Sequence, residues 1–153
     1  MYYSGEEIIE IAIRIEENGH IFYTTASEAI NDNDTVKKLF GELAAKEISH
    51  IATFQNIAEH FEPENFEFSK DDAADYINHL ADNHIFSRSN AGSEMAKKVH
   101  NSKEALDIAY KFEINSVNFY TELLEKTRSD SKKVIRQIIE EEKEHASELK
   151  EYM

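Results

Sequence analysis

Hydrophobic residues return every three to four positions along most of this chain. Ile8, Ile11, Ala12, Ile15, Gly19, Phe22, Ala26 and Ile30 make one such stripe, which predicts an amphipathic helix over residues 6–30. The polar run Asn31-Asp32-Asn33-Asp34 ends it, and Asp34 or Thr35 can cap a second helix. That helix carries the stripe Val36, Phe40, Leu43, Ile51, Phe54, Ile57 and Phe61 and stops at Pro63. Leu106, Ala109, Phe112, Val117, Tyr120 and Leu124 predict a third helix over 103–127. Ser129-Asp130-Ser131 supplies the turn and cap for a fourth, marked by Ile135, Ile138, Glu142, His145, Leu149 and Tyr152. Turns this short make each consecutive pair an antiparallel hairpin.

Between the hairpins lie residues 62–102, too many for an ordinary loop and enough to cross the length of a bundle. Asp71–Leu80 reads as a short crossover helix, and Ser87-Arg88-Ser89-Asn90-Ala91-Gly92-Ser93 as irregular chain. The two hairpins are also alike. Setting residues 6–27 against 103–124 matches Glu7/Glu104, Ile11/Ile108, Ala12/Ala109, Glu16/Glu113, Asn18/Asn115, Phe22/Phe119, Tyr23/Tyr120 and Thr24/Thr121. A duplicated helical hairpin explains this and predicts a twofold arrangement of side chains. The expectation is a nearly all-α fold, with residues 1–153 forming a single domain.

Composition narrows the function. The 153 residues carry 17 Lys and Arg against 31 Asp and Glu, a formal charge of −14. That balance disfavours nucleic acid and anionic membrane surfaces as partners. No apolar run reaches the roughly 20 residues of a membrane span, and the first residues lack a basic, then apolar, signal pattern, so a cytoplasmic protein is expected. With no Cys, disulfides, Cys-ligated zinc, iron–sulfur clusters and thiol nucleophiles are excluded. Any metal here must use His and carboxylates.

Those residue types interrupt the apolar stripes. Glu16 sits beside Ile15 and one turn from Ala12 and Gly19; Glu113 lies between Ala109 and Tyr120; Glu47 pairs with His50 and Glu142 with His145 at i, i+3, on one face about a turn apart. A single Glu-x-x-His means little, since this composition yields about one by chance, and Glu17-x-x-His20 is an unduplicated third. The order Glu, Glu-x-x-His, Glu, Glu-x-x-His within a repeat is more telling. An isolated buried carboxylate costs several kcal/mol unless neutralised, paired or bound to a cation. Four together raise one another's pKa. Two divalent ions would cancel four carboxylates, while two neutral imidazoles add nitrogen ligands without altering the sum. Carboxylate-rich coordination with one imidazole per ion suits two iron ions, with manganese or a mixed pair fitting the same donors, better than structural zinc.

The arrangement resembles the ferritin-like di-iron carboxylate superfamily. More closely, Arg14-Ile15-Glu16-Glu17-Asn18-Gly19-His20-Ile21-Phe22-Tyr23 and Leu43-Ala44-Ala45-Lys46-Glu47-Ile48-Ser49-His50 resemble the first two helices of rubrerythrin-like proteins. Phe112-Glu113-Ile114-Asn115-Ser116-Val117-Asn118-Phe119-Tyr120 and Ile139-Glu140-Glu141-Glu142-Lys143-Glu144-His145 resemble the other two. The resemblance implies a ferritin-like four-helix bundle of two antiparallel hairpins joined by a long crossover. It implies that Glu47 and Glu142 bridge two irons, that Glu16, His50, Glu113 and His145 are terminal ligands, and that the chain is a homodimer. Two departures stand out. The Cys-rich rubredoxin-like module of full rubrerythrins has no counterpart among these residues, so electrons must come from an external donor protein. The family's extra glutamate one turn before the third-helix ligand is Tyr110 here, which weakens the case for peroxide reduction.

Tyr23 and Tyr120, two turns from Glu16 and Glu113, are read first as core aromatics, with a hydrogen bond to a ligand as the alternative; Tyr110 is read the same way. His20 has Val117 as its repeat counterpart, which argues against ligation. His60, His79, His84 and His100 are expected at the surface, and Gly19 and Gly41 at close helix approaches. The leading reading is a di-iron oxidoreductase that reduces hydrogen peroxide or dioxygen. Its rivals are a ferroxidase or iron-handling protein acting on ferrous iron, and a metal-free helical interaction module.

Overall fold

The computed structural model describes residues 3–63, 72–128 and 130–153, without the side chains of 72–74. Helices α1 (Gly5–Ala29) and α2 (Asp34–Glu59) form the first hairpin, and α5 (Ser102–Glu125) and α6 (Ser131–Lys150) the second. The crossover carries α3 (Asp72–Asn83) and α4 (Ala91–Ala96). This is the expected all-α, ferritin-like architecture. Among the described residues no helix is long and apolar enough to cross a membrane.

The helix ends follow their capping chemistry, with some shifts from the sequence reading. Ser4 caps α1, its Oγ accepting from the Glu7 amide at 3.1 Å. The cap of α2 is Asn33 rather than Asp34 or Thr35, its Oδ1 accepting from the Val36 amide. Asp130 precedes α6 in a helical conformation and makes no side-chain cap; Ser129 and Asp71, also assigned from the sequence, lie outside the described residues. α2 ends at Glu59, before Pro63, and α6 ends at Lys150, leaving Tyr152 outside the stripe and 42% exposed.

The stripes meet in one core that includes Ile8, Ala12, Ile15, Phe22, Phe40, Phe54, Ala109, Phe112, Phe119, Ile135 and Leu149. The crossover adds to it. Phe86, fully buried, lies 5.4 Å from the Phe22 ring and 4.8 Å from that of Phe112. The repeat pair Asn18/Asn115 holds this segment from both sides. Asn18 Nδ2 donates to the carbonyls of Phe86 (2.7 Å) and Arg88 (2.8 Å), and its Oδ1 accepts from the Gly92 amide (3.1 Å). Asn115 Oδ1 accepts from the Ile85 amide at 3.2 Å. Backbone polar groups carried into the bundle are thereby satisfied.

Two expectations fail here. Residues 91–96, read as part of irregular chain, form α4, which sits against α1; a helix this short has too few turns to show a period. His84, expected at the surface, is buried. Its Nδ1 accepts from the Phe86 amide at 3.0 Å, which leaves Nε2–H to donate to Ser116 Oγ at 2.9 Å. Burial holds its pKa down to about 3. An unfolded histidine titrates near 6.5, so this group contributes stability above that pH and loses it as pH falls toward 3. We expect stability to fall by about 1.4 kcal/mol per pH unit below pH 6 from His84 alone. Denaturant melts should show that extra slope in the wild type and lack it in His84→Gln; equal slopes would contradict the neutral assignment.

Gly41 also departs from expectation: it is exposed, and a Cβ there would meet nothing within 4 Å. Gly19 does mark a close approach. A Cβ there would lie 2.6 Å from Phe112 Cζ and 3.3 Å from Glu47 Oε2. The repeat counterpart of Gly19 is Ser116, another small residue, fully buried.

Candidate metal centre

Four helices bring the six predicted side chains together. Glu16 comes from α1, Glu47 and His50 from α2, Glu113 from α5, Glu142 and His145 from α6. The small neighbours Ala12, Gly19, Ala109 and Ser116 leave room for carboxylates where a core would otherwise be filled with hydrocarbon. All four acids are fully buried, and His50 and His145 are 2% and 1% exposed. Two groups of donors result: Glu16, Glu47, His50 and Glu142, and Glu47, Glu113, Glu142 and His145. Within each group one atom per residue lies within 4.8 Å of every other. Glu47 and Glu142 belong to both.

These groups do not satisfy one another. His50 Nδ1 is 2.9 Å from Glu142 Oε1 and 3.5 Å from Glu16 Oε2. His145 Nδ1 is 3.6 Å from Glu113 Oε1 and 3.8 Å from Glu142 Oε2. Even so, Nδ1 of both rings lacks a hydrogen-bond partner. The same is true of both oxygens of Glu47 and Glu142 and one oxygen each of Glu16 and Glu113. Among the described residues, every buried side-chain atom left without a hydrogen-bond partner belongs to these six residues. Such atoms normally find partners. Their concentration around one point, in a hard-oxygen and imidazole donor set, fits two divalent cations.

Electrostatics points the same way. Burial pushes Glu47 and Glu113 well above the usual carboxylate range, and neighbouring acids, Glu16 and Glu142 for Glu47 and Glu142 for Glu113, push further. Glu142 is raised by burial and by Glu16. Glu16 moves the other way: burial opposes its ionisation, but contacts with Glu47 and His50 bring it down to about 2. Burial would also lower His50, yet Glu142 and Glu16 lift it to about 12. Without cations, then, the cluster keeps its charge down by holding protons on Glu47, Glu113 and His50. A cation entering must displace them.

The two tyrosines turn out to combine both readings weighed for them. Each is fully buried in the aromatic core, and each reaches across to the acid of the other repeat half. Tyr23 Oη donates to Glu113 Oε1 and Tyr120 Oη to Glu16 Oε1, both at 2.5 Å. Burial, then the charge of Glu113 for Tyr23 and of Glu16 for Tyr120, raises both phenols well above their ordinary value, so they remain donors at neutral pH. Tyr110 is different: half-buried, it lines a cavity of about 280 Å³ between α5 and α6 with Ile114, Val117 and Lys143. His20 stays out of the cluster, its Nδ1–H donating to the Ala44 carbonyl at 2.8 Å. His60, His79 and His100 are exposed, as expected.

Sequence reasoning missed one neighbour of the cluster, Glu141. Its Oε2 accepts from His50 Nε2–H at 2.6 Å. Lying within the run Glu140-Glu141-Glu142, it gives no signal of its own; only the pairing of α6 with α2 singles it out.

No curated protein matches the chain significantly. A crystal structure of a Thermotoga maritima protein described as ferritin-like and diiron-carboxylate is similar, at 30% identity and a TM-score of 0.71, with 99% of this chain and 95% of that chain covered. The family model for Rubrerythrin matches residues 7–153, nearly the whole sequence. Helix order, the duplicated Glu and Glu-x-x-His pattern and this match agree: the chain belongs to the Rubrerythrin family.

Proposed function

We propose that the cluster holds two iron ions and that the protein is an oxidoreductase reducing hydrogen peroxide or dioxygen with electrons from an external donor. Glu47 and Glu142, common to both donor groups, would be shared by the two ions; Glu16 and His50 would complete one position, Glu113 and His145 the other. The observation that carries this reading is the confinement of all unpartnered buried side-chain atoms of the described residues to these six groups.

A pair of iron ions supplies two electrons to a small oxidant at one place. The chain's own residues set the conditions. Tyr23 and Tyr120 fix Glu113 and Glu16 in orientation by hydrogen bonds from opposite repeat halves. Phe22, Phe40, Phe112 and Phe54 surround the tyrosines and keep water out. Burial this complete suits a substrate the size of dioxygen or peroxide. Tyr110 lines its cavity as a phenol where the resemblance places a further glutamate, so both oxidants belong in the test. With no Cys in the sequence, this chain offers no thiolate-bound relay, and a separate protein delivers electrons.

Turnover separates this function from iron handling. Iron-loaded protein with an excess of a generic electron donor should consume peroxide or dioxygen over many cycles, with donor oxidised in proportion. Oxidant consumption that tracks added ferrous iron and ignores the donor would instead establish a ferroxidase.

A further inference from the structure

The two halves of the cluster are related by the repeat, but the relation breaks outside it. The α2 positions Glu47 and His50 correspond to Glu142 and His145 of α6, an offset of 95 residues in both cases. Under that offset Lys46 corresponds to Glu141. The residue that His50 donates to is an anion, and its register counterpart is a lysine. Glu141 is well placed for its contact: its side chain is 40% exposed, its Oε2 accepts from His50 Nε2–H at 2.6 Å, and its Oε1 accepts from Gln137 Nε2 at 3.4 Å, one turn earlier. Lys46 is exposed. Among the described residues, both carboxylate contacts of His145 are made by Nδ1.

The cluster itself carries the same asymmetry. His50 Nδ1 stands 2.9 and 3.5 Å from its two inner carboxylates, against 3.6 and 3.8 Å for His145. A carboxylate accepting from the outer nitrogen of a ligating imidazole fixes the ring's tautomer and orientation and makes the inner nitrogen a better donor; losing such a partner typically costs about 10–100-fold in metal affinity. Lys46, the register counterpart of Glu141, offers His145 no such carboxylate.

We propose that Glu141 makes the two metal positions unequal, so that the position between Glu16 and His50 fills first and holds its ion more tightly than the one between Glu113 and His145. Glu141 is a positioning residue here, acting through His50. The inference rests on the dinuclear reading above and refines it.

An anaerobic titration of metal-free protein with cobalt(II), followed by its visible absorption, tests both. The wild type should take up two equivalents in two steps separated by at least about tenfold in affinity. Glu141→Gln keeps an acceptor and removes the charge; it should weaken the first step by about 10–100-fold and leave the second, merging the two. Lys46→Glu should tighten the second step alone. Both substituted side chains are solvent-accessible, so the melting temperature of the metal-free protein should stay close to wild type. Two equivalents bound with one common affinity in the wild type, or equal weakening of both steps in Glu141→Gln, would overturn the inequality while leaving the dinuclear centre standing. Failure of the wild type to bind either equivalent would overturn both.

Discussion

Replacing Glu142 by alanine should abolish binding of the metal pair, whereas Glu17→Ala should leave it unchanged. Glu142 belongs to both donor groups and is fully buried; Glu17, next to Glu16 in sequence, is exposed on α1. At metal concentrations about a thousandfold above the dissociation constant, each bound ion stabilises the fold by about 4 kcal/mol. Loss of the pair should therefore lower the melting temperature of the loaded protein by roughly 10 °C or more, at the few degrees per kcal/mol expected for this chain length. Glu142→Gln sharpens the test. In metal-free protein it removes a buried acid that burial and Glu16 disfavour as a charge, but also the carboxylate facing His50 at 2.9 Å, so the two effects oppose each other and the net change should be small. In loaded protein it removes a bridge and should destabilise. A purely structural role for Glu142 predicts an equal effect in both states, and melts with and without metal read the difference directly.

The second large effect lies away from the centre. A Cβ at Gly92 would sit 2.1 Å from the Asn18 carbonyl oxygen and 2.8 Å from its carbon. These are backbone atoms with no flexible end to yield. Gly92→Ala must lift α4 from α1, breaking the Gly92 amide bond to Asn18 Oδ1 and loosening the other two bonds that Asn18 makes to the crossover. We expect a loss of about 3 kcal/mol or more, at the upper end of overpacking costs, and a fall in melting temperature of roughly 6–12 °C. Gly41→Ala is the contrasting change: with nothing within 4 Å of its added methyl group, it should stabilise α2 by up to about 1 kcal/mol. A Gly92→Ala protein that melts like the wild type would refute the clamp.

These two effects divide along the line between what the sequence displayed and what it concealed. The four long helices were legible because their stripes run over many turns, and the ligand set because acids at core positions of an amphipathic helix are conspicuous and here occur twice. The repeat comparison flagged Asn18/Asn115 and Tyr23/Tyr120 without assigning the asparagines any role. Their bonds reach across about 70 residues to crossover backbone for Asn18, and across 90 and 104 residues to carboxylates for the tyrosines, distances over which no local pattern speaks. His84 was misplaced for the same reason: a lone histidine in a segment without period carries no sign of burial, and its partners Phe86 and Ser116 are defined by the fold alone. The cap of α2 fell on Asn33 because three polar residues in succession could each serve, and backbone geometry chose among them.

The central claim is that buried acids and imidazoles from four helices form a site for two cations, and direct metal analysis tests it best. Metal-free protein loaded anaerobically with ferrous iron and freed of excess should retain two ions per chain. Uptake should be accompanied by release of protons into the medium, since Glu47, Glu113 and His50 hold them in the empty cluster. Fewer than one ion per chain, of iron or of manganese, would contradict the account and leave a helical bundle whose buried charges serve some other end.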